Sequence, residues 1–209
     1  MKSKIQKTKT AIRQLKQIEE LIPKKDLRLA AEWPKKDKWK ILIATILSAQ
    51  TRDEKTIEIC EVLFKKYNSV EKLGGARLKE VEKLICSINY YKTKARHIRE
   101  TGKIISKSGI PKTLDGLLEL PGVGRKVGNV YLAVAENADC IGVDTHVARL
   151  SRKLGWTKNK DRYKIEKNLE KLFPKKYWRS INYILVRFGR ALGKSRKRED
   201  EILNKLKKS

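Results

Sequence analysis

The sequence predicts an all-α protein. Apolar residues recur at three- and four-residue intervals along most of the chain, no segment alternates strictly over several residues, and no hairpin dipeptide joins two alternating runs. With 209 residues and a hydrophobic fraction of 40%, the chain can fill one large core or two smaller lobes.

The elements follow in order from that spacing. Ile5, Ile12, Leu15, Ile18 and Ile22 mark an amphipathic helix that stops at Pro23. Trp39 to Leu47 is apolar all round, as expected of a helix in the centre of a core. Thr56 to Tyr67 carries Ile57, Cys60, Val62, Leu63 and Phe64 at helical spacing and stops at Asn68. Ser69 can cap a short helix ending at Gly74-Gly75, and Leu78 to Ile85 forms another. Lys94 to Ser106 repeats the pattern with Ile98, Ile104 and Ile105. Thr113 to Leu120 and Arg125 to Glu136 flank a glycine turn, and Asp144 to Leu154, Asp161 to Phe173 and Tyr177 to Leu192 complete the set. From Lys194 onward the chain is a basic run, read as a solvated end, with phosphate contact as the alternative. There are no internal repeats, and no stretch rich in Pro, Gly or Ser separates domains.

Charge narrows the function. The net charge of +27 exceeds what solubility requires and points to a polyanionic partner, although a generally lysine-rich surface would give the same sum. No apolar run approaches the roughly 20 residues of a membrane span. The basic N-terminal stretch lacks a continuous apolar core and carries Glu19 and Glu20, which argues against a secretory or transit signal and for a cytoplasmic protein if the source is prokaryotic. Cys60, Cys86 and Cys140 are scattered and flanked by apolar residues, and read as buried thiols of a reducing compartment. With only His97 and His146 beside them, no cluster has metal-ligand spacing.

The most informative segment is Leu120-Pro121-Gly122-Val123-Gly124-Arg125-Lys126, followed by Val143-Asp144-Thr145-His146. Pro121 ends one helix, and Gly122 and Gly124 permit positive φ and leave no side chain in the way of an approaching backbone. The amides of Val123, Gly124 and the turn into Arg125 then point outward at the next helix N-terminus, where they can cradle a phosphate; an ordinary helix–helix turn has the same letters. Lys126 enters that helix where the positive end of the dipole and Arg125 disfavour an ammonium, which suits an amine nucleophile. On its own it is one surface lysine among many. Asp144 opens the next helix pattern and can cap it, and a capping carboxylate held in one orientation can also stabilise positive charge developing on a sugar.

These residues resemble the endonuclease III family of helix–hairpin–helix DNA glycosylases. The similarity runs from about Trp39 to Arg190 and includes Leu47-Ser48-Ala49-Gln50-Thr51-Arg52-Asp53, Lys94-Ala95 and Phe188-Gly189-Arg190, with spacing between the blocks that agrees with the family. The resemblance implies a bifunctional DNA glycosylase and abasic-site lyase of base excision repair, acting as a monomer on double-stranded DNA that contains damaged bases, foremost oxidised pyrimidines, or abasic sites. It implies that Lys126 attacks C1′, expels the base and forms an imine that leads to strand scission, with Asp144 as electrostatic partner. A base must leave the stack before it is excised. The resemblance makes Gln50 a wedge facing the orphaned partner base and Tyr90, in the loop Ile88-Asn89-Tyr90-Tyr91-Lys92, a second wedge. Otherwise Gln50 is a polar residue at a helix end, and Tyr91 either stacks on DNA or packs in the core. His146 is a structural or phosphate-contacting residue rather than a base.

The resemblance also implies two helical lobes with a DNA cleft between them: a central helical barrel, residues 31–138, and a discontinuous lobe of residues 1–30 and 139–209. The chain departs from the family at its end. Most relatives close with a four-cysteine loop that holds an iron–sulfur cluster, whereas no cysteine follows Cys140 and Gly193 stands near the first ligand position. No cluster or other metal cofactor is therefore expected, and packing among Tyr177, Trp178, Ile181, Ile184, Leu185 and Phe188 should hold the C-terminal lobe. Two readings remain beside this one. A glycosylase of the same superfamily for oxidised guanine or uracil and thymine mismatches shares the lysine and aspartate, and a helix–hairpin–helix module without chemistry needs only the charge and the glycines.

Overall fold

The computed structural model describes residues 2–23, 28–192 and 195–208; Gly193 and Lys194 lie outside them. Every regular element among the described residues is helical. The chain divides into two compact units, one of Met1–Leu27 with Ala138–Ser209 and one of Arg28–Asn137, so residues 28–30 and 138 fall on the opposite side from the sequence reading.

The contiguous unit holds α2 (Lys38–Leu47), α3 (Asp53–Lys66), α4 (Val70–Gly74), α5 (Leu78–Ile85), α6 (Tyr91–Ser108), α7 (Leu114–Leu118) and α8 (Arg125–Ala135). Ile41 through Leu47 are all buried, so α2 is the hydrophobic axis on which α3, α6 and α8 pack. Ser69 and Thr113 cap α4 and α7 by accepting from the Lys72 and Gly116 amides. Gly74 has a role beyond ending its helix: a Cβ there would stand 2.7 Å from the Lys103 amide nitrogen, so α4 and α6 cross closely only because it is glycine.

The discontinuous unit holds α1 (Lys2–Glu20), α9 (Thr145–Lys153), α10 (Arg162–Leu172), α11 (Trp178–Leu192) and α12 (Arg196–Lys208), with a 3-10 turn at Lys175–Tyr177. Its core joins Leu15 and Ile18 of α1 to Val147 and Leu150 of α9 and to Ile181, Ile184, Leu185 and Phe188 of α11, with Tyr177 and Trp178 packed against it. Gln14, buried in α1, accepts from Trp156 Nε1 at 2.7 Å and donates to the Leu206 carbonyl at 3.1 Å.

Three sequence expectations are corrected here. The basic run is not a solvated end. Residues 196–208 form α12, because Leu203 and Leu206 repeat at helical spacing and are buried in the core of the unit. Cys86 is exposed, since it sits at the end of α5 where Ile85 and Ile88 take the inward positions, and Cys140 is half-buried; only Cys60 is fully buried, with its thiol pushed up by that burial. Ile5, Val62 and Ile104 match the apolar pattern yet are exposed, since they turn away from the buried faces of their helices.

Candidate active site

The hairpin from Leu120 to Gly124 is fixed by the helices beneath it. Thr101 of α6, fully buried, donates its hydroxyl to the Pro121 carbonyl at 2.9 Å, and the Val123 amide donates to the Leu120 carbonyl at 3.1 Å. Gly122 has φ +81°, and a Cβ there would lie 2.9 Å from His97 Nδ1 and 3.0 Å from Ile46 Cγ2, so glycine is demanded by both backbone and packing. Gly124 differs from the expectation of a second positive φ. Its φ is −92°, extended backbone that any residue adopts, and it caps α8 with open space where its side chain would be. The Val123 amide is used within the turn, and its side chain is buried. Gly124 is exposed, and it leads into Arg125 and Lys126, the first two residues of α8, both half-buried.

Three exposed residues of the same unit, Gln50, Tyr90 and Asn137, adopt left-handed backbone that side chains disfavour. Gln50 has φ +54° in the turn between α2 and α3, and Tyr90 has φ +57° at the start of α6. Each costs about 1 kcal/mol or more, which surrounding contacts must offset. Asn89 Nδ2 donates to the Gln50 carbonyl at 3.1 Å, so the two turns are joined. Tyr90 is 66% exposed, an unusual placement for an aromatic ring. Tyr91 is not in the loop as expected. It is the first residue of α6 and half-buried.

In the other unit, Asp144 caps α9, its Oδ1 accepting from the Val147 amide at 2.8 Å. The carboxylate is half-buried and held in one orientation. His146 lies one residue into α9 with its ring against Gly189 of α11, where any side chain would collide with it. Its Nδ1 is 3.3 Å from Arg149 Nη2. Burial lowers its pKa first, Asp144 opposes, and Arg149 and Arg190 add to the lowering, so the ring is neutral near pH 7. Arg149 pairs in turn with Glu199 of α12, and Lys153 bridges Glu199 at 3.0 Å and Asp200 at 2.6 Å. His146 is thus seated inside a network that ties α9 to α11 and α12.

A protein-family model described as "HhH-GPD superfamily base excision DNA repair protein" matches residues 43–175. The chain belongs to this superfamily. Among curated proteins, it is 38% identical over 180 residues to endonuclease III of Thermotoga maritima, covering 85% of this chain and 84% of that one. It is 37% identical over 156 residues to endonuclease III of Bacillus subtilis, covering 73% and 71%. Among solved structures, a trapped endonuclease III–DNA covalent intermediate aligns with TM-score 0.80 and 32% identity, over 91% of this chain and 89% of that one. A non-covalent endonuclease III–DNA complex aligns with TM-score 0.82 and 31% identity over the same shares. A thermostable thymine-DNA glycosylase aligns with TM-score 0.77 at 20% identity, a likeness of fold. The protein is an endonuclease III-like DNA glycosylase and abasic-site lyase of base excision repair.

An iron–sulfur cluster of the kind expected from the endonuclease III family takes four thiolates. The chain has three cysteines, of which Cys60 and Cys86 belong to one unit and Cys140 to the other. Among the described residues, no group of three or more His, Cys, Asp and Glu side chains could hold a metal ion, and no helix is long and apolar enough to cross a membrane. Sequence reasoning missed α12 with Glu199, and missed Asn89 and the burial of Lys94. For α12 the signal was present: Glu199, Ile202, Leu203 and Leu206 share one helix face. For Asn89 and Lys94, which contact residues far along the chain, no local signal exists.

Proposed function

We propose that this glycosylase excises oxidised pyrimidines from double-stranded DNA as a monomer, with Lys126 as the nucleophile and Asp144 as its electrostatic partner. The observation that carries the reading is the position of Lys126. It is the second residue of α8, directly behind a hairpin whose Gly124 leaves open space for a nucleic-acid backbone. Phosphate docks on the helix N-terminus at Gly124 and Arg125, which fixes register without reading sequence.

The chemistry follows from an amine at that place. The Lys126 Nζ lone pair forms a bond to C1′ while the C1′–base bond breaks, and the base departs with that electron pair and takes a proton. Opening of the sugar ring gives an imine; loss of a C2′ proton then expels the 3′ phosphate and cuts the strand. Asp144, oriented by the Val147 amide, offsets the oxocarbenium-like charge on the sugar as the base leaves. Gln50 and Tyr90 fill the space that the flipped nucleotide vacates, Gln50 against the orphaned partner base. Three cysteines leave this chemistry without an iron–sulfur cluster.

A panel of duplexes, each with one lesion, tests the reading. Release of oxidised pyrimidines at rates well above those for oxidised guanine, uracil or mismatched thymine is expected. Preferential release of one of the others would reassign the substrate. Tight binding with no release from any duplex would favour a docking module without chemistry.

A further inference from the structure

Lys94 is 6% exposed, and its ammonium has no carboxylate among its hydrogen-bond partners. Its Nζ donates to the Leu47 carbonyl at 2.8 Å, the Ala49 carbonyl at 2.7 Å and Thr51 Oγ1 at 2.8 Å. An ammonium has three N–H donors, and all three are spent on the turn that carries Gln50. The backbone amide of the same residue donates to the Tyr90 carbonyl at 2.9 Å, closing the first turn of α6 behind the left-handed Tyr90. The side chain of Lys94 therefore ties the Gln50 turn to the first turn of α6, the turn that Tyr90 opens.

Core stability alone does not call for this arrangement. A buried cation among neutral acceptors is costly, and burial lowers Lys94 to about 8 from its ordinary value. An apolar side chain at this place would avoid that cost, but it would leave the Leu47 carbonyl without its lysine donor, the Ala49 carbonyl with only the longer bond from Thr51 Oγ1 at 3.4 Å, and the Gln50 turn free to relax. Strained backbone persists where its surroundings over-determine it, and here Lys94 and Asn89 over-determine it.

We propose that Lys94 is a positioning residue for nucleotide flipping: it clasps the Gln50 turn to the Tyr90 turn, so that both side chains enter the duplex as one rigid, two-pronged wedge. The inference rests on the proposed wedge role of Gln50 and Tyr90. Lys94 touches no DNA itself. Its effect is to set where the two prongs stand before binding, so that the ordering cost is not met at the moment of insertion.

The test compares strand cleavage at one abasic site in a duplex and in the same oligonucleotide as a single strand, which has no partner strand to part from. The readout is the ratio of duplex to single-strand rates under single-turnover conditions. Gln50→Ala and Tyr90→Ala should each lower that ratio about tenfold. Lys94→Met should lower it by at least as much, Lys94→Arg should restore part of it, and adding Gln50→Ala to Lys94→Met should change it little further. Thr51→Val, which removes one acceptor and spares the buried lysine, should give a smaller drop in the same direction and serves if Lys94→Met does not fold. If Gln50→Ala and Tyr90→Ala leave the ratio unchanged, the wedge reading fails and the clasp with it. If they lower it while neither Lys94→Met nor Thr51→Val does, or if Lys94→Met slows both substrates alike, the clasp alone is refuted.

Discussion

At the residue scale, the two hairpin glycines serve different ends, and substitution separates them. Gly122 is needed by the fold, since φ +81° and the contacts with His97 and Ile46 both exclude a Cβ. Gly122→Ala should cost about 2–4 kcal/mol in urea unfolding. Gly124 is extended with nothing near its missing side chain. Gly124→Ala should stay within about 1 kcal/mol of the parent, because a weaker cap and a less free unfolded chain oppose each other. Its duplex affinity should nonetheless fall several-fold, as the new methyl stands where the DNA backbone approaches. Equal affinity for Gly124→Ala and parent would remove the hairpin from the DNA interface.

At the scale of elements, α12 is the part of the molecule least expected from the sequence. It carries Glu199, fully buried, onto Arg149 and Lys153 of α9, the helix that Asp144 caps. Burial alone raises the Glu199 carboxyl, but the two cations outweigh it and hold it below its ordinary 4.5. A carboxyl lower in the folded than in the unfolded state adds stability above the unfolded value and loses it as pH falls through the folded one. Stability should therefore drop below about pH 4.5, and Glu199→Gln should flatten that acid limb. Near pH 7, Glu199→Ala should cost about 2–4 kcal/mol, somewhat under the range for a pair with both partners buried, since Arg149 and Lys153 keep partial contact with water. An unaltered acid limb in Glu199→Gln would show that the ion cluster does not hold α12.

The helices legible in the sequence were those whose signals are local. Leu78–Ile85 has the predicted bounds, Ser69 and Asp144 cap the helices they were expected to cap, and Thr113 and Asp161, expected as first residues of their helices, stand at the caps. The α12 pattern is obscured because Lys and Arg outnumber the apolar residues that define its face. The hairpin glycines were visible as a motif, but their backbone angles depend on His97, Ile46 and Thr101, which arrive from other helices. The same holds for Lys94, whose partners precede it by more than forty positions.

At the scale of the whole molecule, a net charge of +27 suits a polyanionic partner, and the proposed docking of phosphate on the hairpin adds to it. Binding to undamaged duplex should weaken steeply with salt, log K falling by about 0.9 for each phosphate contact per log unit of salt. A nearly flat response would mean that the charge serves something other than DNA. The central claim is narrower than binding and concerns one amine. Borohydride reduction during reaction with an abasic or oxidised-pyrimidine duplex should trap a protein–DNA adduct, with peptide mass mapping placing the link on Lys126. Lys126→Ala should abolish both the adduct and strand scission while DNA docking persists. Trapping of Lys126→Ala at the parent rate, or a link mapped to another lysine, would contradict it.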